Sequence, residues 1–290
     1  MEPMSTQPAR RLHAALEPLH LVSYFAPGAR ESGQPLGLKS FWQTYMAFRS
    51  APLGQVAPST VVAAFASFHP DMVHRSLPAV WSLTTPQDCL DTRNAYAAGA
   101  LRAAGVQEAG ATRAVELLAP VLGALDPTGR ALGAANAALP AAEDPFGALW
   151  QLATTAREHR GDGHIALQVA LGLTGIEAMV LHSIDVGPPA PVMQKSRGLS
   201  EEQWADVVTG LAAKGLVNDA GELTKAGNDL IQELEDRTDE LAWSSGLNAL
   251  GEAGVDEVLT TLAPSLEALY AAKAVPVTPE YFAPRTPKGA

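Results

Sequence analysis

The chain has 290 residues, 47% of them hydrophobic, and a net charge of −11. This size allows one large or two modest domains with a full core, and the acidic charge argues against a broad nucleic-acid surface. No apolar run reaches the roughly 20 residues of a membrane helix, no signal peptide is expected, and the single cysteine, Cys89, excludes an intrachain disulfide. We therefore expect a cytoplasmic protein without a membrane partner.

Alanine and leucine dominate the hydrophobic residues and β-branched runs are few, so the composition predicts an all-α fold. Pro, Gly and capping signals bound the predicted helices. In chain order these helices span 12–25, 41–49, 59–68, 72–81, 89–104, 113–125 and 131–139. Residues 1–11 are expected to be a frayed tail. We group residues 1–160 as a helical, aromatic-rich N-terminal region.

Nine of the seventeen aromatic residues lie between Tyr24 and Trp81. In a chain rich in Ala and Leu, this concentration indicates either a core of large side chains or the wall of an apolar pocket. The two interpretations are compatible, because core residues line pockets. As candidate ligand contacts we select Trp42, Tyr45, Phe68 and the adjacent His69, together with Trp150 farther along the chain.

The most unusual stretch runs from Arg157 to His164 and reads Arg-Glu-His-Arg-Gly-Asp-Gly-His. Gly161 and Gly163 each disfavour an unbroken helix by about 1 kcal/mol relative to Ala, and Asp162 is a natural N-cap for a helix that starts here. The sequence therefore predicts a helix–helix corner, with two imidazoles and two guanidiniums beside a helix N-terminus.

A helix N-terminus favours anions, so this corner has the composition of a site for an anionic or aromatic small molecule. His164 and His159 are the candidate acid–base groups and Asp162 can orient an imidazole, which makes these three the candidate catalytic residues. Arg160 and Arg157 are the candidate anion contacts. The alternative is structural: Asp162 only caps its helix and the arginines lie on a solvated face. The cofactor stays unknown.

A metal site is not predicted. His159 and His164 are five residues apart, which does not match the i, i+4 pair of helical zinc sites. Asp162 with a distant His69 would be a partial ligand set, and His69 could alternatively serve as an acid–base group or a haem ligand. No second pair of closely spaced ligands supports these options.

The C-terminal third has a distinct order of predicted elements: helices over 163–182, 191–197 and 200–214, a hairpin over 216–223 and a long helix over 224–243. Its motifs are Gly-Leu-Ser at 198–200, Lys-Gly-Leu-Val at 214–217 and Leu-Thr-Lys-Ala-Gly at 223–227. In this order and these motifs the segment resembles a winged helix of the MarR type. The whole chain resembles an uncharacterised helix-turn-helix family of high-GC bacteria, and that resemblance supplies no catalytic residues.

The resemblance implies an all-α fold with one small β-hairpin wing. A multi-helical N-terminal region would precede a winged-helix module with flanking helices at 161–273, and a Pro-rich tail would follow at 274–290.

MarR-type regulators carry basic residues on the recognition helix and wing, because neutralising phosphates drives DNA affinity. Residues 195–245 instead hold five basic and eleven acidic residues, a net charge of −6. Glu201 and Glu202 open the recognition-like helix. We therefore expect that DNA is not a partner and that the winged helix serves packing or dimerisation.

Together these patterns favour a small-molecule-binding protein, with or without enzymatic activity, whose site lies at the 157–164 corner. Two alternatives stay open. One is a ligand-responsive, MarR-like transcription regulator, and the other is a structural or interaction module without a site. A homodimer is compatible with the sequence.

Overall fold

The computed structural model describes residues 8–282, and within them the chain forms thirteen α-helices and no β-strand. The helices are α1 Pro8–Phe25, α2 Phe41–Ser50, α3 Pro58–Phe65, α4 Pro70–His74, α5 Pro86–Ala103, α6 Glu108–Leu122, α7 Ala131–Ala137, α8 Pro145–Ala170, α9 Gly175–Asp185, α10 Ala190–Arg197, α11 Glu201–Ala213, α12 Lys225–Ser244 and α13 Gly251–Ala271. Short 3-10 helices lie at Gln34–Leu36, Ala51–Leu53, Ala79–Ser82, Leu247–Leu250 and Pro279–Phe282. The all-α expectation is confirmed.

Residues 1–7 of the predicted N-terminal tail and 283–290 of the predicted Pro-rich tail lie outside the described residues. In the described part, no single helix is both long and apolar enough to cross a membrane, and α8 and α9 reach that criterion only when counted together across a sharp bend.

The predicted hairpin wing over 216–223 is wrong. In this fully described segment only one antiparallel bridge forms, between Val217 and Leu223. The Asn218 N–H donates to the Glu222 carbonyl over 2.8 Å, and the Asn218 side chain accepts backbone N–H groups inside the turn. The eight residues lie between the glycine that follows α11 and the threonine that caps α12. With the turn taking most of them, too few residues remain for two strands.

The predicted corner at Gly161 and Gly163 is also wrong, because α8 runs unbroken through both glycines, neither of which has a positive φ. The break comes later, at Gly172 with φ +77°. Thr174 then starts α9 with a capping box. The predicted helix over 163–182 is therefore two helices. Helix propensity is a weak preference that tertiary contacts override, and the side chains of this stretch make several such contacts, described below.

The described residues form two compact units, each built of several segments. Unit 1 comprises residues 8–55, 76–162 and 239–282, and unit 2 comprises residues 56–75 and 163–238. Helices α8 and α12 contribute residues to both units.

Unit 1 is a bundle in which α1 packs on α5 and α13, and α6 packs on α13. Its core combines many Ala and Leu side chains with Trp150, which is 1% exposed. The Trp150 indole N–H donates to the carbonyl of His20 over 3.2 Å and so ties α8 to α1. A buried indole needs such a partner, because an unpaired N–H in the core is costly.

Unit 2 packs α9, α10 and α11 around a core that includes Leu181, Trp204 and Leu211. The segment 56–75, which carries α3 and α4, belongs to this unit. The guanidinium of Arg197 lies 4.7 Å from the ring of Phe68 in that segment. The aromatic concentration seen in the sequence is therefore divided between two units.

Helices α7 and α8 approach closely in unit 1. A Cβ added to Gly133 of α7 would lie 2.6 Å from the Cα of His159 in α8, a distance that real Cβ atoms do not adopt. Because the obstacle is helix backbone, it has little room to move.

We expect Gly133→Ala to lower the free energy of unfolding by about 1–3 kcal/mol, the usual cost of overpacking. The matched control is Gly99→Ala in α5, where an added Cβ meets nothing within 4 Å. There the gain in helix propensity should leave stability unchanged or raise it by up to about 1 kcal/mol. Urea unfolding of both variants is the measurement, and equal changes at the two positions would contradict the close approach.

Candidate functional site

The residues selected from the sequence fall into two sets, one in each unit. Arg157, His159, Arg160, Asp162, Trp42, Tyr45 and Trp150 belong to unit 1, whereas His164, Phe68 and His69 belong to unit 2.

Glu158 is the centre of the unit 1 set. Arg49 of α2 donates to both of its carboxylate oxygens, Nε to Oε1 over 2.8 Å and Nη2 to Oε2 over 3.0 Å, and Arg157 Nη1 donates to Oε2 over 2.7 Å. Burial raises the pKa of Glu158, but the guanidiniums of Arg157 and Arg49 outweigh burial and hold that pKa well below its usual range. Arg49 was not among the residues selected from the sequence, although a lone cation at the end of an aromatic helix is a usable signal.

The aromatic candidates of unit 1 pack around this ion pair. The Tyr45 hydroxyl accepts a bond from Arg49 Nη1 over 3.2 Å. Its ring centroid lies 4.6 Å from that of Tyr24 and 5.7 Å from that of Trp42. Tyr24 and Trp150 are buried and Trp42 and Tyr45 are half-buried, so these aromatic side chains contribute to the packing of unit 1.

Asp162 caps a helix other than the predicted one. Its Oδ2 accepts the backbone N–H groups of Leu132 and Gly133 over 2.9 and 2.8 Å. It thus satisfies two free donors at the start of α7. The prediction that Asp162 caps a helix starting at 163 is wrong, since α8 continues through that point. Burial raises the pKa of this carboxyl, and the two backbone bonds partly offset that effect.

His159 is also held inside unit 1. Its Nε2 lies 3.1 Å from the carbonyl oxygen of Asp126, and its own carbonyl accepts a bond from Arg130. Burial and the nearby Arg130 lower the pKa of His159 to about 4. The imidazole is therefore neutral near pH 7 and donates from Nε2 to the Asp126 carbonyl.

Arg160 forms a second ion pair, with the buried carboxylate of Asp239. Its Nη2 lies 2.9 Å from Oδ1 of Asp239, which Arg10 also contacts. Next to Arg157 and Arg160 is a cavity of about 20 Å³, which holds about one water molecule. Glu17 lines it, and its Oε2 has no hydrogen-bond partner among the described residues. Burial raises the pKa of Glu17.

In unit 2, His164 contacts Thr238 of α12. Its Nδ1 lies 2.9 Å from Thr238 Oγ1. The Thr238 hydroxyl donates to the Leu234 carbonyl over 2.6 Å, so His164 carries its proton on Nδ1 and donates to the threonine. Within residues 8–282, no group of three His, Cys, Asp or Glu side chains is arranged to hold a metal ion.

His69 joins the segment 56–75 to α10 and α11. Its backbone N–H donates to the Arg197 carbonyl over 2.9 Å, and its Nε2 lies 3.1 Å from Nε2 of Gln203. Gln203 Oε1 accepts the Ser200 N–H in the capping box of α11, so the amide nitrogen of Gln203 donates to His69. His69 therefore braces the first turn of α11, a role that the sequence did not indicate.

Helices α10 and α11 are joined by the three residues 198–200. Gly198 adopts φ +78° at the end of α10, and Ser200 caps α11 by accepting the Gln203 N–H over 3.1 Å. Trp204 and Leu211 face the core of unit 2. A turn of three or four residues with a glycine is the kind of connection found between the two helices of a helix-turn-helix motif. The exposed face of α11 carries Glu201, Glu202, Ala205, Asp206 and Thr209.

We expect the variant Glu158→Gln to lower the free energy of unfolding by about 3–5 kcal/mol, because it leaves buried guanidiniums without their carboxylate. Arg49→Met should have a comparable effect for the same reason. The double variant should cost well below the sum of the two, since the residues act as one pair. A double-mutant cycle by chemical denaturation measures this, and strictly additive costs would show that the pair is not coupled.

We also expect the stability to fall with pH between about 6.5 and 4. Burial lowers the pKa of His20 to about 3 and that of His159 to about 4, while the unfolded chain takes up these protons near pH 6.5. Their contribution is thus fully present above pH 6.5 and is lost as the pH falls, by about 1.4 kcal/mol per pH unit for each proton.

The test compares variants, because the raised pKa values of Glu17 and Asp162 act in the opposite direction. Urea unfolding at pH 7.5, 6 and 5 should give a shallower pH dependence for His20→Gln and for His159→Gln than for the unaltered protein. The exposed His74, replaced by Gln, is the control and should leave the dependence unchanged. Identical slopes for all three variants would disprove the assignment.

Comparison with known proteins identifies a family but no individual relative. The model of a family described as a helix-turn-helix family matches residues 9–276. No curated protein and no solved structure matches the chain. Because helix-turn-helix proteins use this motif to bind DNA, the match overturns the prediction that DNA is not a partner, which rested on the net charge of residues 195–245 and on the acidic start of the recognition-like helix. The chain belongs to the helix-turn-helix family.

Proposed function

We propose that this protein is a DNA-binding regulator that inserts α11 into the major groove as its recognition helix. The observation that carries the proposal is the arrangement of α10, a three-residue turn and a capped α11. In such motifs the second helix lies in the major groove and contacts base edges. The family match over residues 9–276 supports the same function.

The exposed face of α11 is suited to reading bases and poorly suited to holding phosphates. Glu202 and Asp206 present carboxylates and Thr209 a hydroxyl. Carboxylates accept bonds from the amino group of cytosine, and threonine bonds several base edges or packs on the thymine methyl. Glu201 and Glu202 also stabilise the helix, since they lie in its first turn. Phosphate contacts must therefore come from cations outside α11.

The MarR-type character remains part of the proposal. The order α9, α10, α11 and α12 supports it, although the hairpin wing that the resemblance implied does not form, since residues 216–223 hold a single bridge. A response to a small molecule stays a prediction: the cavity beside Arg157 and Arg160 has about 20 Å³, far below the roughly 300 Å³ at which ligand pockets begin. The homodimer also stays a prediction.

The first experiment measures fluorescence anisotropy of labelled duplexes that tile the region upstream of the protein's own gene. We expect at least one duplex to bind more tightly than a scrambled duplex of equal length, with affinity falling as salt rises from 50 to 200 mM. Absence of binding to every duplex at 50 mM salt and micromolar protein would refute the proposed function.

A variant then tests the assignment of α11. Ala205 is exposed on this helix, and Ala205→Glu brings a further negative charge towards the DNA. We expect affinity to fall about tenfold, equivalent to about 1.4 kcal/mol, with the melting temperature unchanged. Ala63→Glu on α3 of the same unit, also exposed, should leave affinity unaltered. Equal losses for both variants would mean that α11 is not the helix that contacts DNA.

A further inference from the structure

Unit 2 is acidic, and most of its cations are already engaged. Its described residues include six basic side chains: Arg75, Lys195, Arg197, Lys214, Lys225 and Arg237. Lys214 pairs with Glu177, Lys225 with Asp229 and Arg237 with Glu233, at 2.6–2.9 Å. Arg197 stacks on Phe68. In the described part of this unit, Arg75 and Lys195 are the two cations that have neither an acidic partner nor an aromatic one.

These two cations line the same cleft. It has a volume of about 380 Å³ and lies between the segment 56–75 and the turn that joins α10 to α11. Arg75 comes from the first of these and Lys195 from α10, and both are exposed. Ser200, the N-cap of the thirteen-residue α11, also lines the cleft. The positive end of that helix dipole adds to the field of the cations.

One carboxylate opposes them. Asp71 lines the cleft as well, with its Oδ2 3.7 Å from Nδ1 of His69, and its side chain is 71% exposed. Its charge is therefore well screened by solvent, and the balance of formal charge in the cleft is positive. In a unit with an excess of acids, two uncompensated cations at one concave site distinguish this place from the rest of the surface.

We propose that this cleft binds a phosphate-type anion, and that in the complex with DNA the anion is a phosphodiester of the backbone. The second part rests on the proposed function. Arg75, which is more than a hundred residues from α10 along the chain, would supply a phosphate contact that the recognition helix lacks. His69, braced on Gln203, holds the segment 56–75 at the first turn of α11.

The first test uses inorganic phosphate on the full chain without DNA. Phosphate is titrated at constant ionic strength against chloride while the backbone amide signals of residues 198–200 are followed by NMR. We expect saturable shifts in the unaltered protein and none in the double variant Arg75→Gln/Lys195→Gln. The control, Arg237→Gln, removes a cation of the same unit that is already paired and should retain the shifts. No saturable shift in the unaltered protein, or equal shifts in the double variant, overturns the proposal.

The second test identifies the source of the anion. The slope of log affinity against log salt is measured for a bound duplex with the unaltered protein and the same variants. Loss of two phosphate contacts should make the slope about 1.8 less steep in Arg75→Gln/Lys195→Gln, at about 0.9 for each contact. Arg237→Gln should keep the original slope.

The two tests fail separately. Phosphate shifts with an unchanged salt slope would support the anion site and reject DNA as the source, leaving a free anion as the occupant. Phosphate shifts in a protein that binds no duplex would refute the proposed function while the anion site stands. Both positive results together support the backbone phosphodiester.

Discussion

The buried ion pair between Arg49 and Glu158 is the interaction on which unit 1 depends. Two oxygens of one carboxylate and two nitrogens of one guanidinium join α2 to α8 inside the core. A buried charge is tolerable only when it is paired and fully hydrogen-bonded. The surrounding side chains complete these hydrogen bonds. Tyr45 accepts a bond from the guanidinium of Arg49, and Arg157 donates to the carboxylate of Glu158.

The neighbouring residues of α8 also form hydrogen bonds with other parts of unit 1. His159 bonds a loop carbonyl, Arg160 bonds Asp239 and Asp162 caps α7. Each side chain of this stretch fastens α8 to a different part of unit 1. These contacts explain why a helix with two glycines runs on without a break. They show that His159, Arg160 and Asp162 contribute to the packing of the unit, while their role in a ligand site stays a prediction.

Unit 2 shows how a total charge can mislead about a partner. Its acid excess is spread over exposed helix faces and over ion pairs that consume three of its cations. What matters for an anion is the local field, and two uncompensated cations share one cleft. Electrostatic recognition of nucleic acid depends on such a local arrangement. In the proposed complex, α11 contacts the base edges and residues outside α11 contact the phosphates.

The all-α class and most helices of unit 2 follow from local patterns in the sequence. The residues that cap the start of α11 and of α12 lie within three positions of each other, as Ser200 and Gln203 do. Both helices were predicted from the sequence and both are present in the structure. These features could be predicted because capping acts over three or four residues.

The remaining features of the fold depend on contacts between residues that are distant in the sequence. The pairing of Arg49 with Glu158 joins residues 109 positions apart, and the capping of α7 by Asp162 joins residues about 30 apart. The segment 56–75 joins unit 2, where His69 meets a glutamine 134 positions away. Helix propensity and capping depend only on neighbouring residues, so they cannot predict contacts at these separations. The continuity of α8 and the place of the cleft therefore depend on packing between residues that are distant in the sequence.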